Sequence, residues 1–292
     1  MPAVFNAMSL VRPRSLTAAL SLMASDPTLM PIAGCTDVYV GLQFGTMTHK
    51  RFIDLWRLEE LHGISVEKDV LRIGALSTYT EIIESKIAQK RVPMLVAASR
   101  EIGGAQIQNR GTLGGNVANA SPAGDTLPVL AAANARIVLR NQQATRTVAF
   151  ESYYTGYRKS VRQPDELIVA IEIPRISGTQ WWRKVGTRRA QAISKIMMAA
   201  VRPWPERGSR AARSARSESN GGADVRIAFG SVAPTVVVAR KAGAILSGGG
   251  SVAAAQAALL TEIAPIDDVR STGEYRAKVA TNLLAQFWKD TA

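Results

Sequence analysis

A single cysteine, Cys35, in a chain of 292 residues excludes an internal disulfide and any four-cysteine metal centre built by this chain alone. Histidine is nearly as scarce, and His49 and His62 lack metal-ligand spacing. No apolar run reaches the length of about 18 residues that a membrane span needs, so none is expected. The opening MPAVFNAMSLVRPRSL carries basic residues, but no long apolar core and cleavage site follow them. That argues against a secretory signal and, with so little cysteine, for the cytoplasm. Neither nucleotide signature, GxGxxG or GxxxxGKS/T, is present. There is no helix-turn-helix pattern and no aromatic RNA-binding motif, so a nucleic-acid partner is not expected despite the basic charge.

What is present is apolar material, 47% of residues, enough for one large core or two ordinary ones. The formal net charge of +13 is uneven: residues 179–292 hold 17 Lys and Arg against 8 Asp and Glu, or +9, leaving +4 for residues 1–178. Apolar spacing predicts helices over 16–24, 93–103, 125–135, 251–264 and 272–290, and strands over 50–56, 136–140, 146–150, 166–174, 194–201 and 225–233. Segment 29–42 reads as a strand, a glycine-bearing turn, then helix or strand. Segment 70–85 starts as a strand and enters a helix capped by Ser77 or Thr78. Asp125 suits the N-cap of the helix that follows it, with Pro128 in the first turn. Composition changes near RISGTQ (175–180), which divides the chain into 1–178 and 179–292. The arginine-rich stretch 202–222 lacks apolar periodicity and reads as a long exposed loop.

Two glycine turns carry the chemistry. GTLGGNVANASPAGD (111–125) packs glycine, asparagine and threonine ahead of a lone aspartate. Consecutive backbone N–H groups in such a turn form an anion-binding nest, since glycine has no Cβ to block a ligand and tolerates positive φ. A tight structural turn explains the stretch equally well. The second turn, PIAGCTDVY (31–39), places Gly34, Thr36 and Asp37 directly after an apolar strand. Together the two turns could grip the two phosphates of a dinucleotide.

These turns are also where a family resemblance lies. AGCTD resembles the A-G-G-T-D turn, and RGTLGGNVANASPAGD the T-I/L-G-G-N…ASP..D segment, of the FAD-binding subunit of molybdenum hydroxylases. The flanks agree: RFIDLWRLEELHGI, LRIGALSTYTEI, DELIVAIEIP, RKVGTRRAQAISK, VRIAFGSVAPTVVVA and EYRAKVATNLL resemble successive segments of that family. The likeness runs from about residue 5 to 288. The flavin-site loop and the C-terminal segments look most like the xanthine dehydrogenase branch. The resemblance implies an α+β chain: a two-subdomain FAD-binding domain of the vanillyl-alcohol-oxidase (PCMH) type over 1–178, then a small α+β domain over 179–292.

Position by position, the resemblance assigns Ile32, Ala33, Gly34, Cys35, Thr36, Asp37 and Val38 to the first pyrophosphate-binding turn. Thr112, Gly114, Gly115 and Asn116 match the second. Asn119 matches a small polar residue near the flavin, Asp125 an aspartate at the adenosine-ribose end or its support, and Leu167 an apolar residue packed near the dinucleotide. Lys184 matches a lysine that reaches the flavin ring, where a cation would favour the reduced, negatively charged ring. Arg188 and Arg189 would meet a nicotinamide dinucleotide or simply line an exposed loop. Trp181 and Trp182 read as core or interface aromatics rather than flavin stackers. Cys35 departs from the family's usual glycine, which would cost about 1 kcal/mol if φ is positive there.

The implied role is electron transfer. A molybdenum cofactor on one partner chain would hydroxylate the substrate, 2Fe–2S clusters on another would relay electrons, and FAD on this chain would pass them to NAD⁺ or another acceptor. Related implied readings are the FAD subunit of a carbon-monoxide, aldehyde or N-heterocycle dehydrogenase. Two rivals stand beside them: a stand-alone flavin oxidase of the same fold, and an assembly protein that has lost FAD. No residue of this chain is expected to act as acid or base on the organic substrate.

Overall fold

The computed structural model describes residues 8–204 and 224–292. Most of the arginine-rich stretch, 205–222, therefore lies outside the described residues.

The first sheet is parallel and three-stranded, with Arg51–Asp54 between Ser9–Val11 and Met30–Ile32. Helix Leu16–Ser25 crosses between its first two strands in sequence, started by Ser15, whose hydroxyl accepts from the Ala18 amide at 3.2 Å. After Met30–Ile32 the chain enters a helix, Thr36–Gln43, which settles the open choice for that segment.

The second sheet has five antiparallel strands in the order Ile64–Glu67, Val70–Gly74, Leu167–Ile173, Arg136–Arg140, Thr145–Ala149. The central strand Leu167–Ile173 serves two cores. Ile168, Ile171 and Ile173 face a large core with the helices, while Leu167, Val169 and Ala170 face a smaller core shared with the parallel sheet. Strict alternation would put Val169 and Ala170 on opposite faces. A bulge between Ile168 and Ala170 lets both face the smaller core. Thr78, not Ser77, caps helix Tyr79–Glu84 in a full capping box with Glu81. Ser77 is buried and donates to the Gly63 carbonyl instead.

The third sheet is antiparallel, Gly178–Val185, Ile196–Pro203, Arg226–Gly230 and Val237–Val238 in that order. Its first strand was not foreseen; it begins where the composition changes. Ala199, Val201 and Ala228 close the large core of the preceding part, while Ile196, Met198, Ile227 and Phe229 pack under the last three helices. The final helix, Gly273–Asp290, buries Arg276, Ala280, Leu283, Leu284 and Phe287 along one stripe. Trp181 lies in this last core and donates its indole N–H to Asp290 at 3.0 Å, as expected of a core aromatic.

Candidate functional site

The first glycine turn sits where Met30–Ile32 leaves the parallel sheet. Cys35 takes the left-handed conformation, φ 62° and ψ 12°, and is the N-cap of Thr36–Gln43 without a side-chain cap bond. Its thiol donates to the Ala33 carbonyl at 3.4 Å. Burial pushes that thiol up from its ordinary value, with the Arg110 charge opposing. Among the described residues, the backbone N–H groups of Gly34, Cys35, Thr36, Asp37 and Val38 have no hydrogen-bond partner. Free amides, as donors, and the positive end of a helix together form a binding site for an anion.

The second glycine segment differs from the nest that its composition suggested. Residues Leu113–Asn119 form a helix with Thr112 as N-cap. Its first amides are spent inside the fold. Leu113 N–H donates to Ser77 O at 3.1 Å, Gly114 N–H to Ala75 O at 2.9 Å and Asn116 N–H to Thr112 O at 3.0 Å. Gly115 N–H donates to the Thr112 hydroxyl at 3.0 Å. Gly114 is there for close approach, because a Cβ would sit 2.6 Å from the Ala75 carbonyl oxygen. What the segment offers a ligand is the exposed surface of Gly115 and the side chains beyond it. The Asn116 amide is aimed by Thr126, whose hydroxyl donates to its Oδ1 at 2.6 Å.

The two turns, far apart in sequence, are in contact. A Cβ on Gly34 would lie 1.6 Å from the carbonyl oxygen of Arg110, the residue that opens the second segment. The Arg110 guanidinium stacks 3.7 Å above the Trp56 ring. Further along, Arg158 donates to Asn119 Oδ1 at 3.3 Å. Both lie near Asp37, which keeps solvent access within a crowded surface. Burial raises the Asp37 carboxyl, and Arg158 and Asn119 pull it back. Leu167 is buried in the small core, against which Ala33 also packs, so it supports the first turn from below.

Asp125 is not a helix cap. Thr126 holds the N-cap position of Leu127–Ala132, and the Asp125 carboxylate is turned toward the third sheet. Its Oδ2 accepts from Lys184 Nζ at 2.6 Å, with the two side chains only 9% and 5% exposed. Its Oδ1 accepts a hydrogen bond from the Ser194 hydroxyl. Lys184 also donates to the Glu101 carbonyl at 3.1 Å. Burial raises the Asp125 carboxyl, opposed by the charge and hydrogen bond of Lys184 and by Ser194. Arg188 turns back into its own loop, donating to Ala190 O and Gln191 O. Ser194, Glu101, Arg110 and Arg158 were missed from sequence. Arg110 directly flanks a motif and could have been found, whereas Ser194 carries no local signal.

Comparison with known proteins decides what this arrangement holds. Residues 5–176 match the FAD binding domain in molybdopterin dehydrogenase, and residues 183–291 match the CO dehydrogenase flavoprotein C-terminal domain. The chain belongs to this FAD-binding family. The xanthine dehydrogenase FAD-binding subunit of Escherichia coli O157:H7 is 29% identical over 283 residues, covering 94% of this chain and 92% of that one. The carbon monoxide dehydrogenase medium chain of Hydrogenophaga pseudoflava is also 29% identical, covering 93% and 92%. The solved carbon monoxide dehydrogenase of Hydrogenophaga pseudoflava superimposes with a TM-score of 0.85 at 26% identity, over 96% of this chain and 95% of that one. The resemblance seen in the motifs is thereby established, as is the fold: an FAD-binding domain followed by the flavoprotein C-terminal domain. The flavoprotein's own residues fit the cofactor, because the free amides of Gly34–Val38 match the charge of a diphosphate and the Gly34–Arg110 contact brings the second segment beside them.

Proposed function

We propose that this chain is the FAD-carrying electron-transfer subunit of a molybdenum hydroxylase that oxidises xanthine or hypoxanthine. In this reading it receives electrons from 2Fe–2S clusters on an iron–sulfur partner chain. A further partner carries the molybdenum cofactor, and NAD⁺ or another acceptor takes the electrons. The observation that carries the reading is the unpaired amide turn Gly34–Val38 abutting the second glycine segment through Gly34 and Arg110.

FAD, when bound, supplies the electron relay, and this chain supplies position and electrostatics. The amides of Gly34 to Val38 hold the diphosphate, with Ile32 and Ala33 fixing the entry to the turn. Gly115 and Asn116 form the adjoining wall, with Thr112 and Gly114 buried behind it to fix its backbone, and Asn119 continues it toward Asp37. Leu167 supports the first turn through the core. Lys184 would supply a cation at the flavin end, and its 2.6 Å pairing with Asp125 then puts that aspartate at the same end, as its support, rather than at the adenosine ribose. A single cysteine cannot ligate an iron–sulfur cluster, so the clusters belong to a partner. The names "FAD-binding subunit" and "medium chain" borne by the relatives support work in a complex.

The substrate is the finer part of the proposal. Relatives named for xanthine and for carbon monoxide stand at the same 29% identity. Xanthine is favoured by the segments RKVGTRRAQAISK and EYRAKVATNLL, which resemble that branch. The test is co-purification of the chain with its native partners, followed by the visible spectrum. Flavin and iron–sulfur bands bleached by xanthine and restored by NAD⁺ are expected. Bleaching by carbon monoxide or an aldehyde instead would overturn the substrate, and a colourless chain that takes up no FAD would overturn the whole reading.

A further inference from the structure

Ser194 lies in the RKVGTRRAQAISK segment but was assigned no role there; it stands 69 positions from Asp125 in sequence, yet it is 2% exposed and aims its hydroxyl at Asp125 Oδ1. The other oxygen, Oδ2, is taken by Lys184. Lys184 and Ser194 stand on either side of the exposed loop 186–193. The two strands there are tied together by the Lys195 amide, which donates to Val185 O at 2.9 Å. Asp125 and Glu101 come from the other side of the junction, so the cluster joins the third sheet to the part that carries both glycine turns. Among the described residues, the other charged or titratable groups around it are the Glu101 carboxyl, Arg183 beside that carboxyl, and the buried Tyr79 hydroxyl.

A buried carboxylate keeps its charge only while donors and a cation face it. Two donors face Asp125, and only one of them is charged. Removing the neutral donor would leave Oδ1 buried and unpaired, which favours the protonated acid. Lys184 would then keep its positive charge without a full counter-charge.

We propose that Ser194 is a positioning residue of the flavin site: its hydroxyl holds Asp125 as the ionised partner of Lys184 and thereby sets how much of the lysine's charge is left for the flavin. This rests on the FAD reading above. The geometry gives it a direction. A less compensated cation near the ring stabilises the reduced, more negative flavin, so the flavin potential rises when Asp125 is neutralised and falls when Lys184 is removed.

The test is the flavin midpoint potential of the full FAD-loaded chain, measured by spectrophotometric redox titration beside its melting temperature. From lowest potential to highest, the expected order is Lys184→Met, then wild type together with Ser194→Thr, then Ser194→Ala, then Asp125→Asn. Ser194→Cys, which keeps the volume but donates weakly, falls between wild type and Ser194→Ala and carries the test if the alanine variant loses FAD. A purely structural role would lower melting temperature and FAD retention without this order. Ser194→Ala or Ser194→Cys at the wild-type potential overturns the proposal while leaving the FAD reading intact. A wild-type chain that binds no FAD overturns the functional reading and this proposal with it.

Discussion

The carbonyl oxygen of Arg110 occupies the space that a Cβ on Gly34 would need, at 1.6 Å. Two segments that look independent in sequence thus meet backbone to backbone, and glycine is required at the contact. The obstacle is a carbonyl rather than a flexible side chain, so it cannot swing aside. Gly34→Ala should destabilise the chain by roughly 1–3 kcal/mol, as overpacking does. It should also weaken FAD binding at least tenfold by separating the two turns. Fluorescence titration with FAD and a urea unfolding curve would check both, and wild-type values in both would refute the contact.

Cys35 is the opposite case, a side chain where glycine would fit better. At φ 62° an L-residue costs about 1–2 kcal/mol. Glycine removes that strain but adds roughly 0.4–1 kcal/mol of unfolded-chain entropy. Cys35→Gly should therefore be neutral to about 1.6 kcal/mol stabilising, with FAD affinity kept or improved. Cys35→Val should lose stability, because a branched Cβ tolerates the left-handed region poorly. Urea midpoints of the three proteins should rank glycine highest and valine lowest.

Lys184 and Asp125 form an ion pair with 5% and 9% side-chain exposure. Lys184→Met leaves the carboxylate buried without its cation, a loss of about 3–5 kcal/mol. The double variant Lys184→Met with Asp125→Leu should recover most of that loss, because the penalty lies in the unpaired charge. A double-mutant cycle by denaturant unfolding measures the coupling, and simple additivity would show that the pair does not act as a unit.

Acid sensitivity should come partly from the C-terminal part. Burial raises the Asp268 carboxyl, but its hydrogen bond to Arg276, backbone amides and the Arg276 charge outweigh that and bring it down to about 2, from an ordinary 3.8. A depressed carboxyl binds fewer protons in the folded state, so its contribution is complete above about pH 4 and is lost as pH falls toward 2. Asp268→Asn should be less stable than wild type at neutral pH, and the gap should close in that acid window. Melting temperatures from pH 7 down to pH 2 would show it, and a gap constant across the window would assign the loss to geometry instead.

Local signals were the legible ones. Thr78 followed by Glu81 is a capping box at three-residue spacing, and the last helix shows its stripe from Arg276 to Phe287. The central strand announces itself by its β-branched run, and both glycine turns were visible as motifs. The sequence could not say that Leu113–Asn119 is a helix, because two glycines near its start disfavour one. The carbonyls of Ala75 and Ser77 overrule that propensity from another part of the chain. Asp125 misled for a related reason. An aspartate just before an apolar helix is a good cap by local rules, but its partners are Lys184, 59 positions away, and Ser194. Neither partner leaves a trace at fixed spacing.

Ala199, Val201 and Ala228 lie at the back of a sheet whose other face belongs to the C-terminal helices. They are small, so that sheet lies close against the large core, and the strand Ile196–Pro203 is a wall common to two rooms. Heating cannot empty one room without breaching the other. The described parts should therefore melt in one cooperative step, with FAD raising the temperature of that step rather than splitting it. For the same reason, a swing of the whole C-terminal sheet against the preceding part would tear open a packed interior.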